Sequence, residues 1–378
     1  YLSRKLAIFS LSSGKTFLWT IPLICFLLIL LIPLNKLEMN PTQMYSEKYT
    51  SFGPDVLWLD KKLGASFPIS FKANSDNGSV SNPRFLEDLD NFSIWLEKQK
   101  EVTHVTSLAR TMKSLNKSMH GDDLKMKVIP EDQELSSQYL FFYEMSLPMG
   151  LDLNTSISQD RGSTRIAATL REMTSKEYLI FDEKVTKYLR ENNLESTISK
   201  PAGFRVIFVY LMEAIVNSLL VGVTIGLALI ITVIGFFFRS ASFGFLSSFP
   251  NILPIVSAFG IWAIIDGQID FMVAVGMGST LGIIVDFTVH LLSKYDLARQ
   301  ELKKSPEDAV LFAFEAVGFA LIAMTIILAM GFSVLHLVSF LPMHNFAQFS
   351  ILAFVFALII DFFLFPNLLV RFDKRKFD

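Results

Sequence analysis

Two carboxylates stand where the sequence leaves little water to hold them. Between Val216 and Ser293 the charged residues are Arg239, Asp266, Asp270 and Asp286, and between Ala316 and Val370 there is Asp361 alone. Asp286 and Asp361 lie well inside apolar runs. A charge in hydrocarbon costs about 2.5–3.5 kcal/mol on insertion scales, so such groups face a bundle interior and serve a function. The chemistry open to them is the uptake and release of a proton. Asp286 has a context for it, because Ala274, Gly278, Gly282, Asp286 and His290 recur every fourth residue and share one helix face. Gly278 and Gly282 form a small-xxx-small surface for close helix packing at the relay. His290, or a hydroxyl, supplies the partner that a proton relay needs. Thr325, in another apolar run, is the hydroxyl expected nearest Asp286, although a threonine in a membrane helix commonly bonds its own backbone. Asp361 precedes Pro366 and Asn367; it joins the relay, snorkels to the interface or caps a broken helix end. The bland alternative is that Asp286 only hydrogen-bonds across helices while the glycines only permit packing.

Other chemistries are excluded by what the sequence lacks. There is no Walker-type phosphate loop and no Gly-x-Ser-x-Gly elbow, and the His and acidic residues are too scattered for a zinc site. No catalytic residues, metal or cofactor are therefore expected. Coupling to an ion gradient fits better than ATP. Two intramembrane aspartates also raise an aspartyl protease, whose carboxylates share a proton. Against it, Gly282-Ile283-Ile284-Val285 precedes Asp286 without the Gly-x-Gly-Asp form. The one cysteine, Cys25, allows no disulfide framework.

The elements that must position these residues are membrane spans. The chain has 378 residues, 51% hydrophobic and 19% charged with a net charge of −2, which excludes a disordered or nucleic-acid-binding chain. Its apolar residues gather into six runs near the length that crosses a ~30 Å hydrocarbon core. The expected organisation is a cytoplasmic segment 1–16, a first span 17–34, an outer domain 35–203 and a five-helix membrane domain 204–370. The five spans fall at about 216–238, 247–265, 271–292, 319–337 and 346–369, with a cytoplasmic tail 371–378. The first run is too long for a signal peptide and is read as retained. Arg4, Lys5, Lys15, Arg239, Lys294, Arg299, Lys303, Lys304, Arg371, Lys374, Arg375 and Lys376 all flank one side of these runs, whereas the loops at 266–270 and 339–345 carry no Lys or Arg. The positive-inside bias then puts both termini in the cytoplasm and the long polar segment outside.

That segment reads as two βαβ patterns, hence an α+β domain. In the first, Phe67, Ile69 and Phe71 alternate as in a strand, Asn82-Pro83 starts a helix through Phe85, Leu89, Phe92 and Leu96, and Val102 to Val105 is the next strand. In the second, Ile166 to Leu170 is a strand, Thr174 and Glu177 form a capping box ahead of a helix, and a short strand lies near Thr197. The stretch 135–145 reads as helical and 152–162 as loop.

With this order and these motifs the chain resembles one half of a resistance-nodulation-division (RND) superfamily transporter, most of all the MMPL and hopanoid-exporter-like branch. The segment Gly282 to His290, followed by Lys294-Tyr295, looks like the family's GxxxD(Y/D)xxH motif. Phe238-Arg239-Ser240, Phe249-Pro250-Asn251, Leu253-Pro254, Gly331-Phe332 with Ser339, Asp361 with Pro366, and the stretch Gln138 to Ser146 also resemble family positions. The resemblance implies a polytopic α-helical membrane protein of one plus five spans, with an outer domain of ferredoxin-like porter modules. It implies Asp286 as proton carrier, with Thr325 and Asp361 as supporting positions. It also implies membrane lipids, a hydrophobic substrate and protons as partners, a second RND half that completes the transporter as an oligomer or in a longer chain, and a bacterial inner membrane address. This half resembles the family's second, and its start at Tyr1 rather than Met reads as a piece of something longer. Phe287 follows Asp286 and no Lys lies inside a span, which departs from a drug-pump charge triad and favours a lipid-type exporter. Spans two to six also resemble the sterol-sensing domain, so a non-transporting lipid sensor or assembly partner is the alternative.

Overall fold

The computed structural model describes residues 2–37, 67–148, 152–171, 173–373 and 375, with a few positions between 44 and 62. Lys374 and Lys376, used above for orientation, lie outside the described residues, as does most of 38–66. The chain divides into two compact units, one of Tyr1–Thr50 with Met212–Asp378 and the other Ser51–Leu211.

Six helices among the described residues are long and apolar enough to cross a membrane: Gly14–Leu34, Phe204–Phe237, Ala241–Ile265, Phe271–Gln300, Pro306–Leu337 and Leu341–Phe372. These are spans one to six below. Most extend beyond the apolar runs, because hydropathy marks the hydrocarbon crossing whereas caps set where backbone hydrogen bonding begins. Ser240 caps span three through Phe243 N, Asp270 caps span four through Met272 N and Val273 N, and Ser305 caps span five through Asp308 N. Burial raises the Asp270 carboxyl above its ordinary pKa, and Asn345 donates to it at 2.9 Å, tying the start of span four to span six.

The segment ahead of span one is a helix in its own right, Leu2–Ser12, which buries Ser3, Ala7 and Ser10. These small residues recur at three- and four-residue spacing and let the helix lie close on the ends of spans five and six. Both of those ends carry a π-helical turn, Phe314–Gly318 and Ile360–Leu364, whose Phe314 and Phe362 rings meet edge to face at 4.8 Å. Pro366 brings no N–H to the second turn. The Phe362 carbonyl instead accepts from Ser10 Oγ at 2.8 Å, while Asn367 Nδ2 donates to Phe363 O at 2.8 Å and Ser10 O at 3.2 Å. Ser10→Ala is expected to lower unfolding free energy by about 1–3 kcal/mol, since a buried acceptor loses its donor. A chemical-denaturation midpoint for the detergent-solubilised chain reads this directly.

Close backbone approaches occur at specific glycines. A Cβ at Gly260 of span three would stand 2.7 Å from the Leu28 carbonyl carbon of span one, and one at Gly244 would stand 2.6 Å from Ile231 O of span two. Aromatic residues fill the remaining interior, among them Trp262, Phe287, Tyr295, Phe349, Phe354 and Phe365, all under 2% exposed. At the end of span four a polar knot closes the unit. Asp373 accepts from Arg299 Nε, Tyr295 OH and Arg375 Nε, each at 2.9 Å, and Arg375 Nη1 donates to Asp296 at 2.6 Å with its guanidinium 4.4 Å above the Phe243 ring.

The second unit is built on a sheet of β1 (Phe67–Asn74), β2 (Val102–Thr106) and β3 (Ser163–Leu170), with α1 (Pro83–Glu97), α2 (Leu108–Met119), α3 (Gln133–Ser146) and α4 (Ser175–Glu191). The sheet order is β1-β3-β2 with both pairings antiparallel, so the first βαβ pattern is split by β3 between its strands. The strand expected near Thr197 does not form. Only isolated antiparallel bridges, Ala73 with Ile198 and Ser70 with Ala202, join that segment to β1. Pro201 has no N–H to give a ladder, and Ser199 Oγ takes the Lys72 N–H at 2.9 Å in place of a backbone carbonyl. The helix starts follow the sequence: Asn82 accepts from Phe85 N, and Thr174 with Glu177 forms the capping box. Ile69, Phe71, Ile166 and Ala168 of the sheet and Phe92, Phe181 and Val185 of the helices form its core.

Candidate functional site

The residues expected to form one relay do not gather: Asp286 and His290 share the exposed face of span four, whereas Asp361 meets the buried face of the same span. Along its inner side, Leu281, Ile284, Thr288, Leu291 and Tyr295 are buried at helical spacing. Asp286 is two residues before Thr288 and therefore about 200° away around the helix. It is exposed, as are Gly282 and His290, and Gly278 is half-buried. Asp286 makes no hydrogen bond or ion pair among the described residues. A Cβ on Gly282 would meet nothing within 4 Å, and one on Gly278 only Leu219 Cδ2 at 3.8 Å. The glycines at which neighbours do approach closely include Gly14, Gly244, Gly260, Gly276 and Gly318. Thr325 is buried and donates to Leu321 O at 3.0 Å, its own helix.

Asp361 is fully buried, so it neither snorkels nor caps a helix end; the π-helical turn carries it inward. Thr288 Oγ1 lies 3.2 Å from Asp361 Oδ1 and 3.3 Å from Asn251 Oδ1. Asn251 Nδ2 in turn donates to Ser247 O at 2.7 Å. Asn251, Thr288 and Asp361 thus link spans three, four and six, and each has no exposed surface. Thr288 and Asn251 figure in the sequence only as members of family-like segments, without a role of their own, because they bear no charge and Asp286 is more conspicuous. Their signal is positional: Thr288 falls on the spacing of the buried stripe, and Asn251 follows Pro250 one turn from Pro254.

Toward the opposite end of the spans is a cavity of about 400 Å³ lined wholly by apolar residues of spans one to four and their adjoining segments, including Leu219, Val223, Ile255, Phe259, Ala274 and Met277. Ala274, the first member of the Asp286 stripe, is the one that reaches it. Between spans five and six the half-buried His336 and His344 rings lie 5.2 Å apart. Among the described residues no group of three or more His, Cys, Asp or Glu gathers as a metal site would.

Residues 81–376 match the family described as "MMPL family". The chain belongs to the MMPL family. This places it in the RND superfamily, and the matched stretch contains Asn251, Asp286, Thr288 and Asp361. The MMPL chain is also 29% identical over 154 residues to a protein of Methanocaldococcus jannaschii whose name says no more than membrane protein MJ1562. That alignment spans 40% of this chain and 39% of the relative, so this MMPL chain matches well under half the length of that protein.

Proposed function

We propose that this MMPL chain is one half of a proton-motive-force-driven exporter of lipids or other hydrophobic molecules. The observation that carries the substrate class is the cavity between spans one and four. Its volume of about 400 Å³ lies within the range of small-molecule sites, and no polar group lines it. An acyl chain or a fused-ring lipid fits such a surface, whereas a charged substrate would lose its water without compensation.

Proton coupling rests on Asp286 as carrier, with His290 beside it and Thr325 and Asp361 in support. The face of exposed Gly282, Asp286 and His290, with half-buried Gly278 beside them, is where a second RND half docks, its small residues admitting a neighbouring backbone and its carboxylate leaving lipid contact. Protonation of Asp286 neutralises that face and shifts its packing. Span two continues from residue 204 as one helix through Phe237, which makes a stiff route from the membrane toward the segment before it. Residues 51–211 serve as a ferredoxin-like porter module, for which the β1-β3-β2 order with bridges at Ile198 and Ala202 on the free edge of β1 is the support. The termini lie in the cytoplasm and the porter module in the periplasm of a bacterial inner membrane. The same apolar cavity also serves the second reading, a sterol-sensing-like lipid sensor without transport.

Proton flux separates the two. In lipid vesicles holding the native assembly under an imposed pH gradient, wild type is expected to conduct, and Asp286→Asn, which keeps the size and removes the titrating group, is expected to reduce flux at least tenfold. Wild-type vesicles that conduct no protons, with candidate lipids present, would move the assignment to the sensor.

A further inference from the structure

The buried Asn251-Thr288-Asp361 cluster contains one hydroxyl proton too few for its acceptors, and this has a chemical consequence. Asn251 is oriented by its Nδ2, which donates to Ser247 O, so its Oδ1 faces Thr288. Thr288 Oγ1 then sits between two acceptors, Asn251 Oδ1 and Asp361 Oδ1. A hydroxyl has a single proton to donate. Asp361 Oδ2 is also buried without a hydrogen-bond partner, and Asp361 makes no ion pair among the described residues.

We infer that Asp361 is a proton-binding site inside the membrane unit, wired to Asn251 of span three through the Thr288 hydroxyl. With a proton on Asp361, the carboxyl donates to Thr288 Oγ1, Thr288 donates to Asn251 Oδ1, and Asn251 donates to Ser247 O. Every oxygen on the path is satisfied in one direction. When the proton leaves, the Thr288 hydroxyl turns to the carboxylate and Asn251 Oδ1 loses its donor. Proton release therefore breaks the link between spans three and four and strengthens that between spans four and six. Span three is prepared to respond, since Pro250 and Pro254 bracket Asn251 and interrupt its helical hydrogen bonding.

A proton fits this cluster better than a metal cation. One proton completes the hydrogen bonds already present, whereas a sodium ion would need more oxygen ligands than Asn251, Thr288 and Asp361 supply. Among the described residues, none brings a competing charge to it. Span one brings Cys25, buried in one cluster with Ile360 and Leu364; the amino-terminal helix brings Ser10; span three brings no ionisable group to this depth. Asp286 and His290 of span four are on its exposed side, Arg371 of span six is exposed, and Glu315 at the neighbouring π turn pairs with Arg4 at 3.3 Å.

The role in transport rests on the exporter reading, but the site itself is open to a test that does not. Infrared difference spectra between high and low pH, recorded on the full chain in lipid bilayers, report the C=O stretch of a protonated carboxyl. Wild type is expected to show such a band, Asp361→Asn to lose it, and Asp286→Asn to keep it. Thr288→Val displaces the band and Thr288→Ser restores its position, a pair that also decides the matter if Asp361→Asn fails to fold. A band unchanged in Asp361→Asn, or insensitive to both Thr288 variants, overturns the inference. So does a wild-type band abolished by sodium at constant ionic strength and pH. Vesicles without proton flux whose protein retains the Asp361 band would overturn the exporter reading alone, and flux without that band would overturn the Asp361 site alone.

Discussion

Asp373→Ala is expected to destabilise the membrane unit by about 3–5 kcal/mol, the usual range for breaking one partner out of a buried ion pair. The Asp373 side chain is 1% exposed and that of Arg299 6%, so removing the carboxylate takes its counter-ion from a buried guanidinium. Arg299→Met in the same background removes that buried charge and is expected to recover a large part of the loss, as a double-mutant comparison of denaturation midpoints would show. The network also sets an acid limit. Hydrogen bonds from Arg375, Arg299 and Tyr295 outweigh the burial of Asp373 and lower its carboxyl pKa to about 2. A carboxyl lowered on folding contributes stability that is complete above its unfolded value of about 3.9 and is lost as pH falls through the folded one. Wild-type stability should therefore drop between about pH 4 and pH 2 by more than that of Asp373→Asn, whose curve lacks this component.

Gly260→Leu is expected to leave no folded protein, and Gly260→Ala to lower stability by about 1–3 kcal/mol or more, because backbone, not a flexible side-chain end, occupies the space. The added carbon would lie 2.7 Å from both the carbonyl carbon and Cβ of Leu28, so spans one and three would have to separate. Gly282→Ala supplies the contrast: with nothing within 4 Å of the new Cβ no packing is lost, and replacing a glycine in a helix interior should stabilise the isolated chain by about 0.5–1 kcal/mol. Equal losses at the two glycines would contradict the packing described above.

Six spans were legible because hydrocarbon imposes length and composition on any helix that crosses it, and the helix starts at Asn82 and Thr174 were legible because capping is a local event. The end of the sheet was not, since whether residues 197–202 pair along β1 depends on how Ser199 and Pro201 meet a strand more than a hundred residues away. The site was half legible. Charge rarity picked out Asp361, but four-residue spacing shows which residues share a helix face and not which face turns inward. Asp286 and Thr288 illustrate this: the conspicuous residue is exposed in the isolated chain, and the inconspicuous one reaches Asp361. The π turn that aims Asp361 has no sequence signature beyond the proline that follows it.

The knot at the end of span four also orders events during biosynthesis. Asp373 follows Arg299 by 74 residues, and the Arg375 carbonyl that accepts from the same guanidinium follows it by 76. At a synthesis rate of about 5–20 residues per second, Arg299 is made roughly 4–15 s before those partners exist. Through that interval the end of span four carries a hydrated guanidinium at the membrane surface. The helices can insert and begin to pack, yet their closure waits for residues 373–375, so a nascent chain halted before residue 373 would hold a bundle still open at this end.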